Sequence, residues 1–152
     1  LEKWETEYWE TVKICTTMFP EAEEVLESLS ARFKVALITN TQGQKTTGTH
    51  RISLFPELEK FFRVIIVAGE NEIPPKPDPK PFRLCLEKLD ITAAQALYVG
   101  DDYRIDIRGA RDSGLHPVWL KHSSVRRNWP AVQTSVPVIS SLKQLLDLEY
   151  IF

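Results

Sequence analysis

The chain has 152 residues and a mass of 17.5 kDa, which predicts one domain with a sizeable core. Its 19 basic and 21 acidic side chains give a net charge of −2, so we expect neither a nucleic acid nor a membrane surface as partner. The apolar runs are far shorter than the ~20 residues that span a bilayer. Cys15 and Cys85 form no disulfide framework, which favours a reducing, cytoplasmic location. Because the chain begins at Leu1 and its only methionine is Met18, we expect it to be a piece of a longer protein.

The hydrophobic pattern predicts helices that alternate with short strands. Apolar, β-branched runs typical of buried parallel strands occur at 33–39, 63–68, 96–100 and 116–120, with a short edge strand at 136–140. Helical patterns cover 1–19, 20–33, 82–89, 102–114 and 141–148, with a weak helix within 40–50 and a proline-rich extended loop at 73–81. This alternation predicts an α/β fold, a three-layer Rossmann-like parallel sheet with helices on both faces.

Polar side chains follow three successive strands, at the edge of the sheet where open α/β folds bind ligands. They are Thr39 and Asn40, then Lys76, then Asp101, Asp102 and Asp106. A threonine hydroxyl donates to phosphate oxygens, a lysine offsets their charge, and carboxylates suit Mg²⁺. Each set alone also fits a helix cap, a turn or plain surface. Their succession after three strands favours one site for a phosphate group and a divalent cation.

Three motifs carry a resemblance to a known family. FKVALITNT, PPKPDPKPF and LYVGDDYRIDIRGARDSGL resemble the second, third and fourth motifs of the haloacid dehalogenase superfamily, in its Mg²⁺-dependent phosphatase branch with a helical cap. The resemblance is best from Phe19 to Leu148. It implies that 1–19 is the C-terminal end of a helical cap and that 20–152 is the core.

The resemblance also implies a chemistry and a role for each motif residue. In the family an aspartate attacks a phosphomonoester and forms an aspartyl-phosphate, which water hydrolyses. Thr39 and Asn40 would bind the phosphoryl group, and Lys76 would bind it and offset the charge of nucleophile and substrate. Asp101 and Asp106 would be ligands of Mg²⁺, whereas Asp102 falls where the family often has serine. The substrate class would be a small phosphorylated metabolite.

The family's first motif, Asp-x-Asp after an apolar strand, is absent from this chain. No two of the seven aspartates have a single residue between them. The resemblance places the missing strand at the centre of the sheet, between the strands ending at Thr39 and Gly100. We therefore expect the chain alone to bind Mg²⁺ weakly and to be inactive. It is a fragment, a chain that another polypeptide or a second copy completes, or a truncated non-catalytic relative.

Two other functions remain alternatives. A 2-haloacid dehalogenase needs no metal and carries serine and asparagine where this chain has Asp101 and Asp102, so the acidic pair favours the phosphatase branch. A non-catalytic binding or regulatory protein is favoured by the absent first motif. A phosphorylation-receiver module is excluded, because its acidic pair precedes its threonine and lysine, whereas here Thr39 and Lys76 precede Asp101.

Overall fold

The computed structural model describes residues 2–41, 51–126 and 128–150. Helices and strands alternate along the chain, as the sequence predicts. In chain order they are α1 (Glu2–Cys15), α2 (Ala22–Ser30), β1 (Ala36–Asn40), β2 (Val64–Ala68), α3 (Pro79–Leu89), β3 (Leu97–Gly100), α4 (Arg108–Asp112), β4 (His116–Leu120) and β5 (Val138–Ile139). Short 3₁₀ helices cover Arg51–Leu54, Pro56–Phe61, Ala93–Gln95 and Leu142–Tyr150, and a π-helical turn covers Tyr103–Ile107.

The five strands form two parallel sheets. In the first sheet β1 pairs with β2, and Ala36 lies opposite Val64 at the start of the register. In the second sheet β3 pairs with β4, and β4 pairs with β5. The parallel α/β fold is thus confirmed. Within the described ranges no strand joins β1 to β3, so each of these two strands has one edge without a strand neighbour.

Helices cover both faces of these sheets. On one face α3 packs on β1 and β2 and touches α4, and this core contains Ile38, Ile66, Phe82, Cys85, Leu86, Leu89, Ala110 and Leu115. On the other face α2 packs against the 3₁₀ helices at Pro56–Phe61 and Leu142–Tyr150. The result is the three-layer arrangement expected from the sequence. None of the described helices is both long and apolar enough to cross a membrane.

The proline-rich loop is shorter than the sequence analysis predicts. Helix α3 begins at Pro79, inside the predicted loop 73–81, and Asp78 caps it by accepting a hydrogen bond from the Lys80 amide at 2.8 Å. Proline is tolerated in the first helical turn because its missing N–H has no intrahelical partner there. The prediction of an extended loop up to residue 81 was therefore wrong over its last three residues. The weak helix expected within 40–50 falls largely outside the described residues.

Helix α1 exposes several large apolar side chains. Its Trp4, Tyr8 and Ile14 side chains are exposed, Trp4 to 77%. Trp4 and Tyr8, four residues apart, form an exposed apolar stripe on this helix. Such a stripe is typical of a helix that packs against further chain.

A buried polar cluster ties α2 to the C-terminal part of the chain. The carboxylate of Glu21, just before α2, accepts hydrogen bonds from Ser141 Oγ at 2.7 Å and His122 Nε2 at 2.9 Å. The His122 ring stacks on Phe19, with ring centroids 3.7 Å apart. The hydrogen bonds from Ser141 and His122 lower the pKa of Glu21 from 4.5 to about 2. Glu21 is therefore a charged anchor between segments 120 residues apart.

Candidate active site between the two sheets

The Lys76 ammonium lies between the open edges of β1 and β3. Its Nζ donates to the Ile38 carbonyl of β1 at 3.0 Å and to the Tyr98 hydroxyl of β3 at 3.0 Å. Its third hydrogen bond goes to Asp106 Oδ1 at 2.8 Å. An ammonium has three N–H donors, so the protein satisfies all of them. The predicted lysine thus bridges the two sheets.

Asn40 fixes the backbone of the loop that carries Lys76. The Lys76 amide donates to Asn40 Oδ1 at 2.9 Å, and Asn40 Nδ2 donates to the Lys76 carbonyl at 3.2 Å. This paired contact uses both polar atoms of the Asn40 amide on one residue. A direct phosphate contact by Asn40 stays a prediction, and the geometry gives the residue a positioning role.

Asp106 is held in the turn that follows β3. Its Oδ2 accepts a hydrogen bond from the Asp102 amide at 3.0 Å, while Oδ1 faces Lys76 and the Tyr98 hydroxyl. Gly100 explains the close approach of this turn to the strand, because a Cβ at that position would lie 2.3 Å from the Cβ of Asp106. A larger residue there would displace the carboxylate from Lys76.

Asp101 and Asp102 differ in role although they are adjacent. The Asp102 side chain caps the following turn, accepting from the Arg104 and Ile105 amides at 2.9 and 3.1 Å. Asp101 is exposed, and its carbonyl accepts a hydrogen bond from the indole of the buried Trp119 at 3.1 Å. Asp101 therefore lines the cleft, whereas the Asp102 side chain stabilises the turn that follows β3.

Tyr98 is a site residue that the sequence analysis missed. Its ring packs edge-on against the fully buried Phe82, with centroids 5.1 Å apart. Its hydroxyl lies 3.0 Å from Lys76 Nζ and 3.3 Å from Asp106 Oδ1. Burial, followed by the nearby Asp106 charge, raises the pKa of Tyr98 far above its ordinary value. The hydroxyl therefore keeps its proton. An aromatic residue in a strand is ordinarily a packing residue, so nothing in the sequence pattern marked it.

A cleft of about 320 Å³ opens between the two sheets. Its polar wall contains Lys76, Asp101 and Asp106, and its apolar wall includes Phe19, Val125 and Trp129. Three of the predicted residues are thus brought together. Thr39 and Asn40 are not in this lining, although both lie at the end of β1 beside the Lys76 loop. The Thr39 hydroxyl is half-buried and lies 3.5 Å from the Asn40 carbonyl.

The described residues do not form a complete magnesium site. Mg²⁺ prefers about six oxygen ligands in octahedral geometry. Both carboxylate oxygens of Asp106 already accept hydrogen bonds, and among the described residues no group of three or more His, Cys, Asp or Glu side chains is placed to hold a metal ion. Asp101 and Asp106 stay a prediction for two of the ligands, and the others would have to come from elsewhere.

Comparison with known proteins agrees with this arrangement. The family model "Haloacid dehalogenase-like hydrolase" matches residues 1–120. A phosphoserine phosphatase from Thermus thermophilus is 34% identical over an alignment of 108 residues, and the match covers 68% of this chain and 40% of that protein. A phosphoglycolate phosphatase from Cupriavidus necator is 28% identical over 130 residues, which are 85% of this chain and 54% of that protein.

The solved structures agree as well. A 2-haloacid dehalogenase from Pseudomonas syringae is 28% identical and superposes with a TM-score of 0.72, over 89% of this chain and 54% of that one. The chain thus spans about half the length of the relatives it matches. With the family model matching well over half of its residues, this chain belongs to the haloacid dehalogenase-like hydrolases.

Proposed function

We propose that the complete protein hydrolyses small phosphomonoesters through an aspartyl-phosphate intermediate. The observation that carries the proposal is the Lys76 ammonium, held in the cleft by Ile38, Tyr98 and Asp106. A fixed positive charge stabilises the negative charge that develops on a transferring phosphoryl group. Two relatives of this chain are described as a phosphoserine and a phosphoglycolate phosphatase, which supports the same substrate class.

The nucleophile of this reaction would come from outside the described residues. The cleft separates the open edges of β1 and β3, and unpaired strand edges are the places where a further strand can add. We propose that an apolar strand ending in Asp-x-Asp pairs with both edges and so places its first aspartate beside Lys76. Because these 152 residues contain no Asp-x-Asp, the strand belongs to the rest of the polypeptide or to another chain. The exposed stripe of α1 would then pack against the rest of a helical cap, with residues 20–152 forming the core.

Each described site residue then has one task. Lys76 offsets the charge of nucleophile and phosphoryl group, Asn40 fixes the Lys76 backbone, and Thr39 donates its hydroxyl to a phosphoryl oxygen. Hydrolases of this family generally use Mg²⁺, and Asp101 would be one ligand in a site completed by the incoming strand. The free thiols Cys15 and Cys85 agree with a reducing, cytoplasmic setting.

A second candidate function is a binding protein without catalysis, favoured by the absence of Asp-x-Asp from the sequence. Dehalogenation is less favoured, because Asp101 adds negative charge where a metal-free dehalogenase has serine. Hydrolysis of p-nitrophenyl phosphate and of 2-chloropropionate separates the three functions when it is measured on an extended polypeptide, in which this chain is joined to a segment that supplies an apolar strand ending in Asp-x-Asp. We expect phosphate release, abolished by Lys76→Met and retained in the control Lys80→Met, whose ammonium donates to the Glu72 carbonyl instead. Chloride release, or no turnover by the extended polypeptide, would overturn the proposal.

A further inference from the structure

Tyr98 connects the charged groups of the cleft in a fixed donor direction. An ammonium only donates and a carboxylate only accepts, so the Tyr98 oxygen accepts from Lys76 at 3.0 Å while its O–H donates to Asp106 Oδ1 at 3.3 Å. The Lys76–Asp106 contact at 2.8 Å closes this triangle. The hydroxyl thus satisfies one donor of Lys76 and one acceptor of Asp106 at the same time.

Tyr98 is also the rigid member of this triangle. Its ring is held by the fully buried Phe82 and by its place in β3, whereas Lys76 is a flexible side chain on a loop. The Ile38 carbonyl holds the ammonium from the β1 side, and the Tyr98 hydroxyl holds it from the β3 side. Of the three hydrogen bonds that Lys76 Nζ makes in the structure, the one to the Tyr98 hydroxyl is its contact with β3. Loss of the hydroxyl would remove this contact.

We propose that Tyr98 is a positioning residue whose hydroxyl, rather than its ring, fixes the Lys76 ammonium in the cleft. The inference rests on the proposed function only in that the Lys76 ammonium is the group which offsets the charge of the phosphoryl group. A hydrogen bond from a charged ammonium to a hydroxyl contributes enough to disfavour the release of the ammonium about tenfold. The positioning role exists before any substrate binds, so it can be tested on the chain as it is.

The test measures the reactivity of individual lysines in Tyr98→Phe. Reductive methylation with formaldehyde and a borane reagent requires a free amine, and peptide mass spectrometry gives the rate at each lysine. We expect Lys76 to react about tenfold faster in Tyr98→Phe, which keeps the ring and loses only the hydroxyl. Lys34 is the internal control, because its ammonium also donates to a backbone carbonyl, that of Leu89, at 2.7 Å.

The controls separate positioning from loss of structure. Tyr103→Phe removes a hydroxyl from a ring that packs on Trp119 and should leave the Lys76 rate unchanged. An unchanged ratio of Lys76 to Lys34 rates in Tyr98→Phe would overturn the proposal. Should Tyr98→Phe fail to fold, ¹³Cζ-tyrosine NMR of Lys76→Met replaces it. The Tyr98 resonance is expected to move, and an unmoved resonance would equally overturn the positioning role.

The outcome is independent of the proposed phosphatase activity. Repeating the methylation of the wild-type chain with and without sodium tungstate, a tetrahedral oxyanion, tests whether an anion binds beside Lys76. Lack of protection would count against the proposed function while leaving the Tyr98 result intact. Protection of Lys76 combined with an unchanged rate in Tyr98→Phe would uphold anion binding beside Lys76 and overturn the role of Tyr98.

Discussion

Lys76 Nζ and Asp106 Oδ1 form an ion pair at 2.8 Å, and about nine-tenths of each side chain is buried. The residues are 30 positions apart in the chain, yet Asp106 is oriented by the Asp102 amide and Lys76 by Ile38 and Tyr98. Removing one partner of a buried ion pair destabilises the folded state strongly, because the other charge is then buried without a counter-charge. This relationship therefore links stability and the proposed chemistry in one contact.

Asp106→Asn should destabilise the chain by about 3 kcal/mol, because it leaves the buried Lys76 ammonium without its counter-charge. Urea unfolding followed by circular dichroism measures the loss. The matched control is Asp112→Asn, which removes an exposed carboxylate 3.8 Å from Arg111 and should cost less than about 0.5 kcal/mol. Equal losses in the two variants would show that the Lys76–Asp106 pair is not a buried charge pair in solution.

Glu21→Gln tests the pH dependence of the anchor before α2. The pKa of Glu21 falls from 4.5 to about 2 on folding, so its ionised form favours the folded state. Its contribution is fully present above pH 4.5 and is lost as the pH falls towards 2. At neutral pH we expect Glu21→Gln to lose about 2 kcal/mol, allowing for solvent near the carboxylate. The difference from wild type should shrink in acid.

Unfolding free energies measured from pH 7 downwards check this prediction, with Glu24→Gln as control. Glu24 forms an ion pair with Lys143 at 2.8 Å, but both side chains are more than half exposed. That pair should contribute little to stability, because solvent screens both charges. A Glu21→Gln loss that stays constant throughout acidification would contradict the shifted pKa.

Substitution of Asn40 is expected to lower stability, whereas substitution of Thr39 is expected to weaken phosphate binding. Asn40→Ala leaves the Lys76 amide without its 2.9 Å acceptor and should cost about 1–3 kcal/mol of stability. Thr39→Val loses only a long hydrogen bond, at 3.5 Å from the hydroxyl to the Asn40 carbonyl, and should cost less than about 1 kcal/mol of stability. In the extended polypeptide, however, Thr39→Val should weaken phosphate binding. Thermal unfolding and inhibition by inorganic phosphate give the two readouts, and a stability loss in Thr39→Val as large as in Asn40→Ala would contradict this division of roles.

The sequence was sufficient for the parts of the fold that local patterns encode. The β-branched runs predicted β1 to β4. The positions of the polar residues after these strands predicted that Lys76, Asp101 and Asp106 lie together, and all three line one cleft. The start of α3 was misplaced, because prolines that usually break helices here occupy the first turn and follow the Asp78 cap. Tyr98 was missed because a strand tyrosine carries no local sign of its hydroxyl partners, which come from residues 22 positions before it and 8 after it.

The paired role of Asn40 was hidden for a related reason. An asparagine after a strand fits a turn as well as a ligand. Its contact with the Lys76 backbone depends on how the loop after β2 returns to the end of β1, and this is a tertiary relationship. Local sequence patterns therefore predicted which residue types gather at the sheet edge, but not which of them bind one another.

Steady-state hydrolysis of p-nitrophenyl phosphate by the 152-residue chain alone, with and without Mg²⁺ and at high protein concentration, tests the central claim most directly. If the nucleophile enters on a strand between β1 and β3 that this chain lacks, no turnover above buffer is expected in either condition. Mg²⁺-dependent turnover that disappears in Asp101→Asn would contradict the claim, because a carboxylate within these residues would then be the nucleophile.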